Sequence, residues 1–146
     1  MSYKTYEVHV YVDGVKEWYM NGKLHREDGP AIEYAYGTRQ WYIDGKLHRE
    51  DGPACEWANG SKFWYLNGEL HRKDGPAVEY ADGSKFWYLD GKLHREDGPA
   101  VEYFNGDCEW FLNGREMTKQ DFKIQLNSCA GKIVVIDGKK YRLTEI

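Results

Sequence analysis

An eight-residue segment, Leu-His-Arg-Glu-Asp-Gly-Pro-Ala, recurs at a fixed interval along this 146-residue chain. It occupies residues 24–31, 47–54 and 93–100, and with one change residues 70–77. Successive copies are 23 residues apart. A fixed period of this length is typical of repeat architectures, in which small units stack on their neighbours. The polar residues of the segment must therefore be interpreted as members of a repeated unit.

Each unit predicts two strands. In the third unit, residues 62–66 are rich in strand-forming side chains, and Asn67-Gly68 is a strong signal for a type I′ hairpin turn. The equivalent turn at Asp44-Gly45 then places Trp41 opposite His48. A second turn signal in each unit, such as Asn59-Gly60, joins one hairpin to the next. The pattern predicts an all-β fold, an elongated antiparallel β-meander of 23-residue repeats.

The second turn sets the register between units. If Asn59-Gly60 is a two-residue turn, Cys55 lies opposite Trp64 and Ala54 opposite Tyr65. One face of the sheet would then carry Trp, His and small aliphatic side chains, and the other Tyr, Leu and Ala. Both faces are partly apolar, which favours a single-layer sheet.

The ends of the chain depart from the repeat. We expect one structural domain with a capping hairpin strand over residues 1–15 and repeats over 16–115, comprising four full units and a partial fifth. Residues 116–146 are expected to form a C-terminal cap, a short helix followed by a β-hairpin. Thr118 to Asp121 resembles a capping box at the helix start, and Asp137-Gly138 is the expected turn of the hairpin.

The charge and the distribution of apolar residues exclude several classes of function. The chain has a formal net charge of -4, an N-terminus without an apolar signal region and no run of 18 apolar residues. We therefore expect a cytoplasmic protein that binds neither long nucleic acids nor membranes, because both depend on many basic contacts. The three cysteines, Cys55, Cys108 and Cys129, predict neither a disulfide framework nor a zinc site.

With these positions laid out, the chain resembles the MORN repeat family, especially its bacterial and viral variants that include antitoxin-like proteins. The resemblance rests on the 23-residue period, the aromatic pair Trp64-Tyr65 before Asn67-Gly68, the histidine His71 and the second Asp-Gly or Asn-Gly turn, over residues 16–114. It implies an elongated, twisted antiparallel sheet used for binding and not for catalysis.

The recurring motif itself has a local explanation. Asp can bond backbone amides two residues on, Gly can take positive φ, and Pro fixes φ at the entry to the next strand. The arginines are expected to pair with nearby acids or with the neighbouring repeat. Equivalent histidines should lie about 9 to 10 Å apart, two strand spacings, so they cannot share one metal ion. No nucleophile recurs beside them, and we expect neither an enzyme nor a cofactor.

With catalysis not expected, a binding function is left, and two kinds of binding protein fit the sequence. The chain can be a protein-interaction scaffold or inhibitor, since exposed Tyr, Trp and Arg are favoured at interfaces. Alternatively, it can sequester a small anionic ligand such as a nucleotide signal, with rings stacking on the base and an arginine on the phosphate. Self-association is compatible with either, because an open meander leaves unpaired strand edges. The candidate partner- or ligand-binding residues are Trp41, Trp64, Trp87, His48, His71, His94, Arg49, Arg72 and Arg95.

Overall fold

The structure, a computed structural model, describes residues 5–127, 133–136 and 139–142, with side-chain surroundings described up to residue 125. Short strands dominate these ranges. Their bounds are β1 Glu7–Val10, β2 Lys16–Met20, β3 Lys23–Leu24, β4 Ile32–Glu33, β5 Arg39–Gln40, β6 Tyr42–Ile43, β7 Lys46–Leu47, β8 Cys55–Glu56, β9 Lys62–Phe63, β10 Tyr65–Leu66, β11 Glu69–Leu70, β12 Val78–Glu79, β13 Lys85–Phe86, β14 Tyr88–Leu89, β15 Lys92–Leu93, β16 Val101–Glu102, β17 Cys108–Leu112, β18 Arg115–Met117, β19 Ile133–Ile136 and β20 Lys139–Arg142, with one helix, α1, at Lys119–Asn127.

Twelve strands form one long antiparallel sheet. Its order is β1-β2-β4-β5-β8-β9-β12-β13-β16-β17-β18, with β3 pairing β2. Four separate two-stranded sheets are made by β6-β7, β10-β11, β14-β15 and β19-β20. The predicted elongated antiparallel meander with a short helix and a final hairpin is therefore confirmed. The expected hairpin turn Asp137-Gly138 and Cys129 lie outside the described residues.

One turn of each repeat is the two-residue turn that the sequence predicts. Asn67 and Gly68 both have positive φ, 54° and 89°, as a type I′ turn requires. In the preceding repeat, the equivalent turn pairs Tyr42 with Leu47, and the backbone amide of His48 donates to the carbonyl of Trp41 at 3.0 Å. The predicted register within each hairpin is correct.

The other turn is one residue longer than predicted. The amide of Trp57 donates to the carbonyl of Ser61, and the amide of Gly60 donates to the carbonyl of Trp57, each at 2.9 Å. Gly60 has a φ of 93°, whereas Asn59 does not have positive φ. This is a three-residue loop, a type I turn followed by a left-handed glycine.

The longer turn shifts the register between hairpins by one residue. Cys55 lies opposite Phe63 and Glu56 opposite Lys62. The predicted pairing of Cys55 with Trp64 and of Ala54 with Tyr65 is wrong, because the prediction counted a two-residue turn. Since a one-residue slip moves a side chain to the other face, Cys55 shares its face with Phe63 and not with Trp64.

The core contains a row of small and aliphatic side chains on that face, and the alanine that precedes each of them, Ala31, Ala54, Ala77 and Ala100, is fully buried as well. Ile32, Cys55, Val78 and Val101 expose 5% or less of their surface, and Phe63 pairs with both Cys55 and Val78. The opposite face carries a row of alternating charge, formed by Glu33, Arg39, Glu56, Lys62, Glu79, Lys85 and Glu102. Cross-strand neighbours of opposite charge stabilise a solvated face.

Hydrogen bonds join each repeat to the next. The amide of Arg49 donates to the carbonyl of Tyr65 at 3.1 Å, and the amide of Gly68 donates to the carbonyl of Leu47 at 2.8 Å. The buried hydroxyl of Ser61 accepts the amide of Ala81, 3.0 Å away in the next turn. Thr38 and Ser84 make the same contact in the adjacent repeats. These bonds align the successive turns along the sheet.

The helix closes the C-terminal end of the repeat array. Thr118 Oγ1 accepts the amide of Asp121 at 3.1 Å, so Thr118 caps the helix as predicted. The Asp121 carboxylate accepts the Thr118 hydroxyl at 2.7 Å, in place of the backbone amide that a full capping box would use. Phe122 is buried, and Lys119 Nζ lies 5.5 Å from the ring centroid of Trp110. A helix residue thus supplies the cation that an arginine supplies in the preceding repeats.

Within the described ranges, no helix is long and apolar enough to cross a membrane.

We predict that Ser61→Ala lowers the free energy of unfolding by about 1 kcal/mol, because the amide of Ala81 loses its acceptor in the buried junction. Ser61→Thr is the matched control, since Thr38 makes the same bond at the equivalent position. Urea denaturation of both variants measures the effect. Equal losses in the two variants would contradict the role given to the hydroxyl.

Candidate functional site

The nine residues predicted as a binding site form three copies of one unit, each with a tryptophan, a histidine and an arginine. In each copy the arginine stacks on the tryptophan, and we call this pair a clamp. The guanidinium carbon of Arg49 lies 4.2 Å from the ring centroid of Trp41. The same contact is 4.0 Å for Arg72 on Trp64 and 3.9 Å for Arg95 on Trp87. A fourth copy, which the prediction omitted, places Arg26 at 4.1 Å from Trp18. Close cation–π contact therefore covers one face of each of these tryptophans.

The arginines of the clamps are already engaged by acids of their own repeat. Arg95 Nε donates to Asp97 at 2.7 Å, and its Nη1 donates to the carbonyl of Pro99 at 3.1 Å and to Glu102 at 2.7 Å. The hydrogen bond from Arg95 lowers the pKa of the Asp97 carboxyl; burial partly opposes this effect, and the charge of Arg95 adds to it. Two carboxylates offset each guanidinium, so these arginines are poor anchors for an added anion.

The glycine of each bend is needed for close packing. A Cβ built on Gly52 would lie 3.0 Å from Cζ of Arg49, and one built on Gly98 would lie 2.9 Å from Cζ of Arg95. Neither glycine has positive φ, so the expected left-handed conformation is absent. Glycine stands at this position because the guanidinium passes directly over its backbone.

The histidines link neighbouring repeats. Nδ1 of His48 lies 3.1 Å from the backbone nitrogen of Asn67, and Nδ1 of His94 lies 3.0 Å from that of Asn113. With its proton on Nε2, the imidazole accepts the amide of the next type I′ turn. In the part of the chain that the structure describes, no three His, Cys, Asp or Glu side chains converge on a metal position.

Open grooves lie between successive clamps. The grooves beside Trp41, Trp64 and Trp87 have volumes of about 670, 410 and 630 Å³. The first is lined by two arginines and four carboxylates. Each of the other two is lined by two arginines, Lys73 and three carboxylates. None has an excess of positive charge when histidine is neutral. The structure thus brings the predicted site residues together, but their polar groups are engaged in bonds within and between the repeats.

The opposite face carries a second candidate site, which we call the aromatic strip: Trp57, Phe63, Tyr80, Phe86 and Tyr103. Successive ring centroids along it are 5.5, 5.6, 5.4 and 5.7 Å apart, and the last three contacts are edge-to-face. Three rings stand out into solvent, with 50% of Trp57, 42% of Tyr80 and 37% of Tyr103 exposed. Phe63 and Phe86 are less exposed than these three rings. We call the Phe63 and Phe86 positions troughs and the exposed rings beside them ridges.

The strip itself is uncharged, and acidic residues lie beyond both of its ends. The trough position recurs every 23 residues and is occupied in order by Glu17, Gln40, Phe63, Phe86 and Glu109. Glu17 accepts hydrogen bonds from the hydroxyls of Tyr11 at 2.9 Å and Tyr19 at 2.7 Å. Glu109 accepts one from Tyr103 at 3.2 Å. Among the described residues, neither carboxylate has a lysine or arginine within ion-pair distance.

The aromatic strip was not predicted, because the second turn of each repeat was expected to contain two residues and contains three. With that turn read as two residues, Phe63 falls on the face opposite Cys55. The 23-residue recurrence of Trp57, Tyr80 and Tyr103 is visible in the sequence. Combined with a three-residue turn, this recurrence would have placed the three rings on one face.

Comparison of the chain with protein-family models finds no match, and comparison with curated protein sequences finds none either. The resemblance to MORN repeats therefore rests on the residue pattern alone.

We predict that Gly52→Ala lowers the free energy of unfolding by about 1 to 3 kcal/mol, because the added methyl group overpacks against Arg49. In the background of Arg49→Ala, the same substitution should have almost no effect, since the clashing side chain is gone. A double-mutant cycle by urea denaturation measures this coupling. Additive effects would refute the close-packing explanation.

We also predict an alkaline titration at the acidic end of the strip. Hydrogen bonding to Glu17, then burial and the charge of Glu17, raise the pKa of Tyr19 to about 12. A raised folded-state pKa favours the protonated form, so this contribution to stability is present below about pH 10 and lost as pH rises towards 12. NMR titration of ¹³C-labelled tyrosine should show the Tyr19 pKa falling towards 10 in Glu17→Gln and changing little in Glu7→Gln. An unchanged pKa in Glu17→Gln would be inconsistent with this assignment.

Proposed function

We propose that this protein is a non-catalytic repeat binding module, a protein-interaction scaffold or inhibitor that holds its partner on the aromatic strip. The observation that carries the proposal is the exposure of Trp57, Tyr80 and Tyr103 in one continuous, uncharged row. Tryptophan and tyrosine are enriched at the energetic centres of protein interfaces. Burial of this row against a partner would remove apolar surface from water, which is favourable.

The dimensions of the strip suit a protein partner. It runs across β8, β9, β12, β13 and β16, four strand spacings, which amounts to about 19 Å. The rings form a ridged surface, and the polar ends at Glu17 and Glu109 resemble the polar rim of an interface. The MORN-like pattern supports the same assignment, as an analogy of architecture, and we place the module in the cytoplasm.

Small-anion sequestration has less support. The grooves beside the clamps offer a tryptophan face and an arginine, but Arg49, Arg72 and Arg95 each bond to two carboxylates and a carbonyl of their own repeat. A phosphate would have to displace those acids. The proposal therefore assigns binding to the strip and a structural role to the clamps.

In-cell photo-crosslinking tests the proposal. A photo-reactive phenylalanine analogue replaces Tyr80 on the strip, and in a matched variant it replaces Lys85 on the charged face. In cells that express the chain, we expect a discrete adduct with a protein other than this chain from position 80 and none from position 85. Both positions lie in the same repeat, so folding effects are comparable.

Adducts from position 85 alone, or from neither position, would argue against the strip as the interface. Adducts at position 80 that consist of two copies of this chain would replace a foreign partner with self-association. Mass spectrometry of the excised adduct separates these outcomes.

A further inference from the structure

We infer that the partner segment that binds the aromatic strip is a polyproline II helix with an apolar residue, proline above all, at every third position and a lysine or arginine beyond the apolar part. This inference rests on the proposed function and specifies the chemistry of its partner. It follows from the spacing of the troughs and from the charges at the ends of the strip.

The spacing of the troughs matches one turn of this helix. Phe63 and Phe86 occupy equivalent positions on β9 and β13, which are separated by β12 alone. Two strand spacings amount to about 9.4 to 9.8 Å. A polyproline II helix has three residues per turn and a rise of about 3.1 Å, so residues i and i+3 point the same way about 9.3 Å apart. An apolar-x-x-apolar segment running across the strands therefore places one side chain over each phenylalanine.

Other regular segments fit the troughs less well. An extended strand repeats its facing side chains every two residues, about 6.7 Å, and an α-helix advances about 5.4 Å per turn. Neither distance, nor two turns of the α-helix at about 10.8 Å, equals the trough spacing as closely.

The walls of the troughs suit proline rings. Phe63 lies between Trp57 and Tyr80, and Phe86 lies between Tyr80 and Tyr103, with centroid distances of 5.4 to 5.7 Å. Aromatic-lined grooves are the common receptor for polyproline II segments. In the described part of the chain, the side chain of Tyr80 makes ring contacts with Phe63 and Phe86, and no hydrogen bond of its hydroxyl is seen. The Tyr80 ring lies between Phe63 and Phe86, so its hydroxyl can donate to a carbonyl of a bound peptide, whose backbone has no internal hydrogen bonds.

The residues beyond the ends of the strip indicate which residues flank the apolar part of the partner segment. One turn beyond Phe86 the trough residue is Glu109, and one turn beyond Phe63 it is Gln40, followed by Glu17. A carboxylate without a basic partner favours a lysine or arginine three positions beyond the second apolar residue. On the other side of the apolar part, the position of the partner segment that faces Gln40 can be polar. The position that faces Glu17 favours a second lysine or arginine.

Fluorescence anisotropy with a labelled decaproline peptide, flanked by one lysine at each end, tests the inference. The peptide is about 31 Å long, which covers the whole strip. A Gly-Ser peptide of equal length with the same lysines is the control probe. We expect the decaproline peptide to bind at least tenfold more tightly than the control, because only the former is pre-organised in the matching helix.

Phe86→Gln and Gln40→Phe form a reciprocal pair of variants. Glutamine already occupies the trough position at Gln40, so the fold tolerates it, and circular dichroism checks that both variants are folded. Phe86→Gln should weaken decaproline binding at least tenfold, because one of two adjacent apolar troughs is lost. Gln40→Phe adds a third trough in phase and should tighten binding severalfold. Lys85→Gln, on the charged face of the same strand, should leave binding unchanged.

The inference is overturned if decaproline binds no better than the control peptide, or if Phe86→Gln and Lys85→Gln have equal effects. In the first case, a crosslinked protein at position 80 would show that the strip binds a partner of another conformation, and the proposed function would stand. The absence of both decaproline binding and adducts at position 80 would remove both proposals.

Discussion

The two turns of each repeat differ in length by one residue, and this difference decides which side chains share a face of the sheet. The type I′ turn at Asn67-Gly68 keeps the register that a two-residue loop gives, whereas the loop that ends at Gly60 contains three residues. The extra residue places Phe63 beside Cys55. Because side chains alternate between faces, the arginine–tryptophan clamps lie on one face and the aromatic strip on the other. If both turns contained two residues, the tryptophans of the clamps and the rings of the strip would not lie on opposite faces as they do.

The sequence was sufficient to predict the 23-residue period, the meander, the hairpin register around Asp44-Gly45 and the capped helix start at Thr118. Each of these depends on interactions within a few residues, which local residue types determine. It was insufficient for the register across Asn59-Gly60, since the same dipeptide fits a two-residue turn or the end of a three-residue one. It also missed the reason for Gly52, because its lack of positive φ and the approach of Arg49 appear only in three dimensions.

The recurring motif contributes to stability more than to recognition. Arg95 stacks on Trp87 and bonds to Asp97 and Glu102, while His94 receives the amide of the next turn. A residue engaged in this way at every repeat has little capacity left for a ligand. The strip differs, because its rings contact one another and still expose large apolar areas. Variation along it, from Gln40 through Phe63 and Phe86 to Glu109, is a source of specificity that the invariant clamps lack.

Cross-strand nuclear Overhauser contacts would measure the register across the three-residue turn, on which the separation of the two faces rests. In uniformly labelled protein, we predict contacts that pair Cys55 with Phe63 and Glu56 with Lys62, repeated 23 residues later for Val78 with Phe86. This result would place the phenylalanines on the face of the buried aliphatic row. Contacts that pair Cys55 with Trp64 and Glu56 with Phe63 would contradict the account, because the aromatic strip would then not exist.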